Sequence, residues 1–225
     1  MDGGGFDRRL AMATARTGSL VCVGLDPDLE RLPPAVRAGR DAAGAIVAFN
    51  AAIIAATRDL VCAYKPNLGF YAAHGVAGIA ALLETRRLIP PETPVILDCK
   101  VNDIGSTAEA YARGYLDGWG FDAVTANPYL GADSLAPFLS RVGRGVFVLC
   151  KTSNPGGGDL QDLPVRDADK AQPLHLAVAD RAAAWAAAAA ATVGLVVGAT
   201  YPAELAAVRA RCPELPILLP GVGAQ

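Results

Sequence analysis

The densest concentration of reactive groups in the chain is the run Asp98-Cys99-Lys100-Val101-Asn102-Asp103. Two more ionisable residues close apolar runs elsewhere, Asp26 after Val23-Gly24-Leu25 and Lys65 after Ala63-Tyr64. Two lysines with two or three carboxylates form a near-neutral set that needs no metal ion. Flanking carboxylates favour the ammonium form of a lysine. In a water-poor site such an ammonium stabilises a developing carbanion and then protonates it. A carboxylate such as Asp98, held beside a substrate carboxylate, repels it until CO2 departs. The chemistry suggested is decarboxylation through a carbanion, or a related proton transfer. One such ion pair would read as structural. Charges converging from three strands read as a site, because buried ions are costly and gather where they are used.

Such residues need strands that deliver them to one place. The candidate strands are Leu20–Asp26, Leu60–Asn67, Pro94–Val101, Ala123–Pro128, Gly145–Ser153, Gly194–Thr200 and Ile217–Gly223. Most are near-continuous apolar runs, as expected of parallel strands covered on both faces. Helices are expected between them, among them Asp41–Thr57, Gly75–Arg87, Thr107–Trp119, Leu174–Ala191 and Pro202–Arg211. Side chains alternate along a strand, so Ile96, Asp98 and Lys100 share one face and Val95, Leu97 and Cys99 the other. The apolar set should face helices, which sends Asp98 and Lys100 inward. Val61, Ala63 and Lys65 share a face in the same way.

The fold class is therefore α/β. No glycine fingerprint of dinucleotide binders follows the first strand, where Gly24-Leu25-Asp26-Pro27 stands instead. Polar residues gather at the C-terminal ends of several strands, which favours a TIM (β/α)8 barrel over a doubly wound sheet. Seven strands are counted, and a typical barrel takes about 250 residues. The expectation is one barrel domain over residues 1–225, lacking its eighth βα unit.

The string Asp98-x-Lys100-x-x-Asp103-Ile104-Gly105-x-Thr107 resembles the signature of the orotidine 5′-phosphate decarboxylase family. Further blocks match in order: Val23-Gly24-Leu25-Asp26-Pro27, Tyr64-Lys65-Pro66-Asn67, Thr125-Ala126-Asn127-Pro128-Tyr129, Lys151-Thr152-Ser153-Asn154-Pro155 and Pro220-Gly221-Val222-Gly223-Ala224-Gln225. The TSNP segment resembles the bacterial branch. The resemblance implies a cytoplasmic carbon–carbon lyase of de novo pyrimidine biosynthesis. It would convert orotidine 5′-monophosphate to UMP and CO2 with neither metal nor organic cofactor, as a homodimer with shared active sites. By position, Lys100 would protonate pyrimidine C6 and Asp98 would lie beside the scissile carboxylate. Lys65 and Asp26 would bind the ribose and support the charged array. Asp103 would orient Lys100 and, with Ile104 and Thr107, reach the partner subunit's site. Ser153 would touch the pyrimidine, Pro220 line the pocket, and Gln225 belong to a loop closing over base and phosphate. Val101-Asn102 departs from the Arg-Gly of many members, with spacing kept. The family's phosphate-gripping arginine would lie past Gln225, so residues 1–225 expressed alone are expected to be weakly active or unstable.

The remaining sequence is consistent with this. The chain has 225 residues, 20 basic against 22 acidic, and 52% hydrophobic content, which excludes a disordered chain. Near-neutral charge argues against nucleic-acid or anionic-membrane partners. The N-terminus has no signal-peptide apolar core, and the Ala-rich stretch is too short for a bilayer span. The five cysteines form no ligand cluster and read as buried reduced thiols. His74 and His175 stand apart from other ligand types and read as ordinary helix or surface residues. Lys151 could add positive charge near Ser153. Gly156-Gly157-Gly158 reads as a loop or lid, with Asp159 and Gln161 as polar groups on it. Two alternatives remain at this point. One is a related magnesium-dependent sugar-phosphate decarboxylase sharing D-x-K-x-x-D; the other is a non-catalytic barrel fragment.

Overall fold

Most strands of the described residues are followed by one or more helices. The computed structural model describes residues 5–167 and 170–222. In order they form α1 (Phe6–Thr17), β1 (Cys22–Leu25), α2 (Pro34–Arg37), α3 (Ala42–Thr57), β2 (Ala63–Pro66), α4 (Leu68–Ala72), α5 (Gly75–Leu88), β3 (Ile96–Val101), α6 (Gly105–Ala112), β4 (Ala123–Ala126) and α7 (Ala132–Leu139). Then come β5 (Gly145–Lys151), α8 (Gly158–Gln161), β6 (Pro164–Asp167), β7 (Lys170–Pro173), α9 (Leu174–Ala188), β8 (Thr192–Val197), α10 (Pro202–Arg211) and β9 (Ile217–Leu218). Contacts group them into two units. One holds the residues up to Cys99 with Arg113–Val124, the other Lys100–Ala112 with Thr125 onward, so β3 and β4 each run from one unit into the other.

In the first unit β1 pairs with β2 in parallel, Gly24 against Lys65. Parallel bridges Tyr64–Val95 and Asn67–Asp98 place β2 beside β3. Helix α3 starts where Asp41 accepts a hydrogen bond from Gly44 N (2.8 Å), an N-cap worth about 1 kcal/mol. Buried Asn50 of α3 donates to the Tyr71 hydroxyl (2.9 Å) and Thr85 Oγ1 (3.0 Å), and Tyr71 donates to Leu25 O (2.9 Å). This chain of bonds fastens α3, α4 and α5 to β1. Only glycine fits at position 78, where a Cβ would stand 1.9 Å from Tyr71 O. Asp122 joins Arg9 of α1, Arg86 of α5 and Val95 N ahead of β3.

In the second unit the ends of β3 and β4 are held by Asn127 N donating to Val101 O (3.0 Å). The strand order continues β4-β5-β8-β9, with β5–β8 and β8–β9 parallel. The register of β5 on β8 slips between Leu149 and Lys151, so β5 carries a bulge. Arg211 of α10 binds Asp180 of α9 and Gln172 of β7.

All seven expected strands are present, each shorter than its apolar run. Among the described residues there are two more, the antiparallel hairpin β6–β7, where no element was expected. Its strands are short, polar and bounded by prolines, so no apolar period announces them. The helix expected over Thr107–Trp119 also needs correction. It ends at Ala112 and widens into a π-turn over Arg113–Gly118, a segment that contains the weak helix formers Gly114 and Gly118.

Candidate active site

The first unit assembles three of the expected site residues. Lys65 leaves β2 and donates from Nζ to Asp98 Oδ2 of β3 at 2.9 Å. The two side chains are only 14% and 10% exposed, so this is a buried ion pair. Asn67 ties it to the third residue: its backbone N–H donates to Asp26 Oδ1 (3.0 Å), and its Nδ2 makes a long 3.5 Å contact to Asp98 Oδ2. The Asn67 side chain also caps α4 at Gly69 N (3.0 Å), which fixes its orientation. Asp26 itself is exposed, just past the end of β1.

Burial pulls the Lys65 ammonium toward neutrality, but the charges of Asp98 and Asp26 and the Asp98 hydrogen bond outweigh it and raise its pKa above the ordinary lysine value. Lys65 therefore stays an ammonium at neutral pH. Neighbouring Cys22 is also raised, but by burial, which pushes its thiol up to about 12, Lys65 opposing and Cys62, Asp26 and Asp98 adding to it. All five cysteines are free thiols.

The second unit holds Lys100, Asp103, Ile104, Thr107, Ser153 and Pro220. The expectation that Lys100 follows Asp98 by simple strand alternation is corrected. Asp98 is 8% exposed and Lys100 is exposed. Lys100 has φ +47°, a left-handed conformation that costs a non-glycine residue about 1–2 kcal/mol. Its N–H donates to Thr125 Oγ1 of β4 at 2.9 Å. The kink ends the two-residue period, so parity no longer gives the direction of the Lys100 side chain. Asp103 is half-buried, and its Oδ1 accepts from Ile104 N (2.8 Å) at the entry to α6. Ile104 is 57% exposed, and Thr107 on α6 is exposed. Ser153 follows β5, pressed against Gly198, where any Cβ would come within 2.8–2.9 Å of it. Pro220 follows β9 and accepts from Ala199 N (2.9 Å). Gln225 lies outside the described residues.

Sequence reasoning passed over Asn67 as a site residue, although the polar residue closing β2 was a signal. It also passed over Thr125, a hydroxyl within the apolar strand Ala123-Val124-Thr125-Ala126. Lys151 is wholly buried against Asp162, whose carboxyl it holds below the usual range. His175 is buried, its Nδ1 2.9 Å from Gln161 O. Among the described residues no group of three or more His, Cys, Asp or Glu is placed to hold a metal ion, and no helix is long and apolar enough to cross a membrane.

Parallel βα units carrying an ammonium–carboxylate network at their strand ends define the class: an α/β barrel protein equipped for acid–base chemistry on a small anionic substrate. The chain belongs to the Orotidine 5'-phosphate decarboxylase / HUMPS family, whose model matches residues 19–225. The orotidine 5'-phosphate decarboxylase of Thermomicrobium roseum is 60% identical over 98% of this chain and 76% of its own. That of Herpetosiphon aurantiacus is 53% identical over 98% and 80%. The solved OMP decarboxylase of Leishmania donovani is 44% identical, with a TM-score of 0.85 over 97% of this chain and 80% of that one. The fold class is α/β of the TIM-barrel type.

Proposed function

We propose that this chain is an orotidine 5′-monophosphate decarboxylase, releasing UMP and CO2 in pyrimidine biosynthesis. The observation that carries the reading is the buried Lys65–Asp98 pair joined through Asn67 to Asp26, in a chain matched by this family over residues 19–225. In the reaction the C6–carboxylate bond breaks and its electron pair stays on C6. The Lys100 ammonium gives C6 a proton, and water later restores the proton to Lys100. Asp98, kept anionic and oriented by Lys65, faces the substrate carboxylate and raises the energy of the bound substrate until CO2 leaves. Asp26 and Lys65 hold the ribose hydroxyls, and Ser153 and Pro220 the base.

The working form in this reading is a cytoplasmic homodimer in which Asp103, Ile104 and Thr107 serve the partner's site. Exposed apolar side chains in and just after this segment, Ile104 and Tyr111, support a protein interface there. Incubation with orotidine 5′-monophosphate, with and without EDTA, tests the proposal. UMP formation unaffected by EDTA is expected. Activity abolished by EDTA would move the chain to the magnesium-dependent sugar-phosphate relatives, and UMP binding without turnover would make it a non-catalytic barrel.

A further inference from the structure

Lys151 has no solvent exposure, and the reaction gives it no task. Its Nζ lies 2.6 and 2.7 Å from the two carboxylate oxygens of Asp162, and 4.5 Å from the centroid of the Tyr201 ring. A bulge in β5 lies beside it. Between Leu149 and Lys151 β5 advances two residues while β8 advances one, and Cys150 and Lys151 are both buried there. Lys151 is buried while the Asp162 side chain that meets it is 49% exposed, so the pair reaches from the interior to the surface. Such a pair is weak evidence for stability, since apolar side chains of similar volume often serve as well. Its best-attested use is to select one arrangement.

The arrangement selected here is a closed loop. Residues 152–161 leave β5 and return at Asp162, on the other side of the ion pair. Beside that pair, Gln161 Oε1 accepts from Thr152 N (2.9 Å) and Gln161 Nε2 donates to Thr152 Oγ1 (2.7 Å). His175 Nδ1 backs the same base, 3.3 Å from Asp162 Oδ1 and 2.9 Å from Gln161 O. Ser153 sits next to Thr152 inside this loop. On its other side it has no slack, because Gly198 approaches it too closely to carry a Cβ, and Gly198 N in turn donates to Lys151 O (2.7 Å).

We propose that Lys151 is a positioning residue for substrate binding: by gripping Asp162 from inside the fold it closes the loop 152–161 and fixes Ser153 where it meets the pyrimidine. This rests on the reading of Ser153 as a base-contacting group. The pair acts on affinity, and bond cleavage proceeds without it.

The double variant Lys151→Met/Asp162→Leu removes both charges together and spares the fold a stranded ion. It is expected to melt near the wild-type temperature. KM for orotidine 5′-monophosphate and Kd for UMP should rise about tenfold, the weight of one hydrogen bond, with kcat retained. Gln161→Leu, which opens the loop base and leaves the ion pair alone, should raise KM to a similar degree. Native KM in a folded double variant overturns the proposal. So does a double variant that fails to fold while Gln161→Leu keeps native KM, since Lys151 is then only structural. Absence of turnover in the wild type overturns the proposed function, and this inference with it; wild-type turnover with unchanged variants overturns the inference alone.

Discussion

Replacing Lys65 with methionine keeps most of the side-chain volume and leaves Asp98 as a buried anion without its ammonium. At 2.9 Å the pair's attraction, taken with an effective dielectric constant of about 20, is about 6 kcal/mol. Desolvation of two largely buried groups cancels much of that in the intact protein. It is not recovered when only one partner is removed, and breaking a buried pair in this way costs about 3–5 kcal/mol. For a chain of this size about 2–4 °C is lost per kcal/mol, so Lys65→Met should melt about 6–20 °C below the wild type. Lys65→Met/Asp98→Leu removes the stranded charge and should regain most of that loss, while remaining inactive. Calorimetry at neutral pH on the three proteins is the assay. A single variant that melts within a degree or two of the wild type would refute the reasoning, because it would mean that water already solvates Asp98.

Lys100→Gly should be more stable than Lys100→Ala by about 1 kcal/mol in denaturant titrations, since only glycine adopts the left-handed backbone without cost. Equal midpoints would argue against φ +47° at this position. Thr125→Val should cost about 1–3 kcal/mol by orphaning the Lys100 N–H and should lower kcat, whereas Thr125→Ser restores both; a fully active Thr125→Val would remove Thr125 from the account. The Lys65 pKa is raised on folding, so its contribution to stability is complete below pH 10.5 and is lost as pH rises through the folded value. Alkaline unfolding of the wild type should therefore be steeper than that of Lys65→Met/Asp98→Leu. Asp162 is shifted the opposite way, so its contribution holds above the ordinary carboxylate value of 3.8 and is lost as pH falls below it. Acid titration of Asp162→Asn should accordingly lack part of the wild-type acid transition.

The grouping of Lys65, Asp98 and Asp26 in the candidate site was legible because ionisable residues closing apolar runs are local signals. Asp26, Lys65 and Asp98 stand where the runs stop, and strand pairing brings those stops together through Asn67. Helix α3 was legible to the residue because Asp41 is a cap with a side-chain acceptor. The misses are those in which tertiary contact overrides a local period. Lys100 leaves extended geometry, with Thr125, distant in sequence, accepting its N–H. Lys151 is buried at the end of a strand covered on both faces, beside a bulge against β8 that no alternation pattern records. The hairpin β6–β7 has no apolar face to announce it, and α6 gives way to a π-turn at two glycines, with Trp119 N donating to Gly114 O (2.8 Å), a change of ring size that the helical period does not show.

The proton on C6 is the heart of the mechanism, and the Lys100→Ala variant tests its source most directly. Turnover of orotidine 5′-monophosphate should fall below detection, while UMP still binds and the melting temperature stays within a few degrees of the wild type. Substantial UMP formation by that variant would contradict the assignment of Lys100 as the acid, and with it the mechanism proposed for this chain.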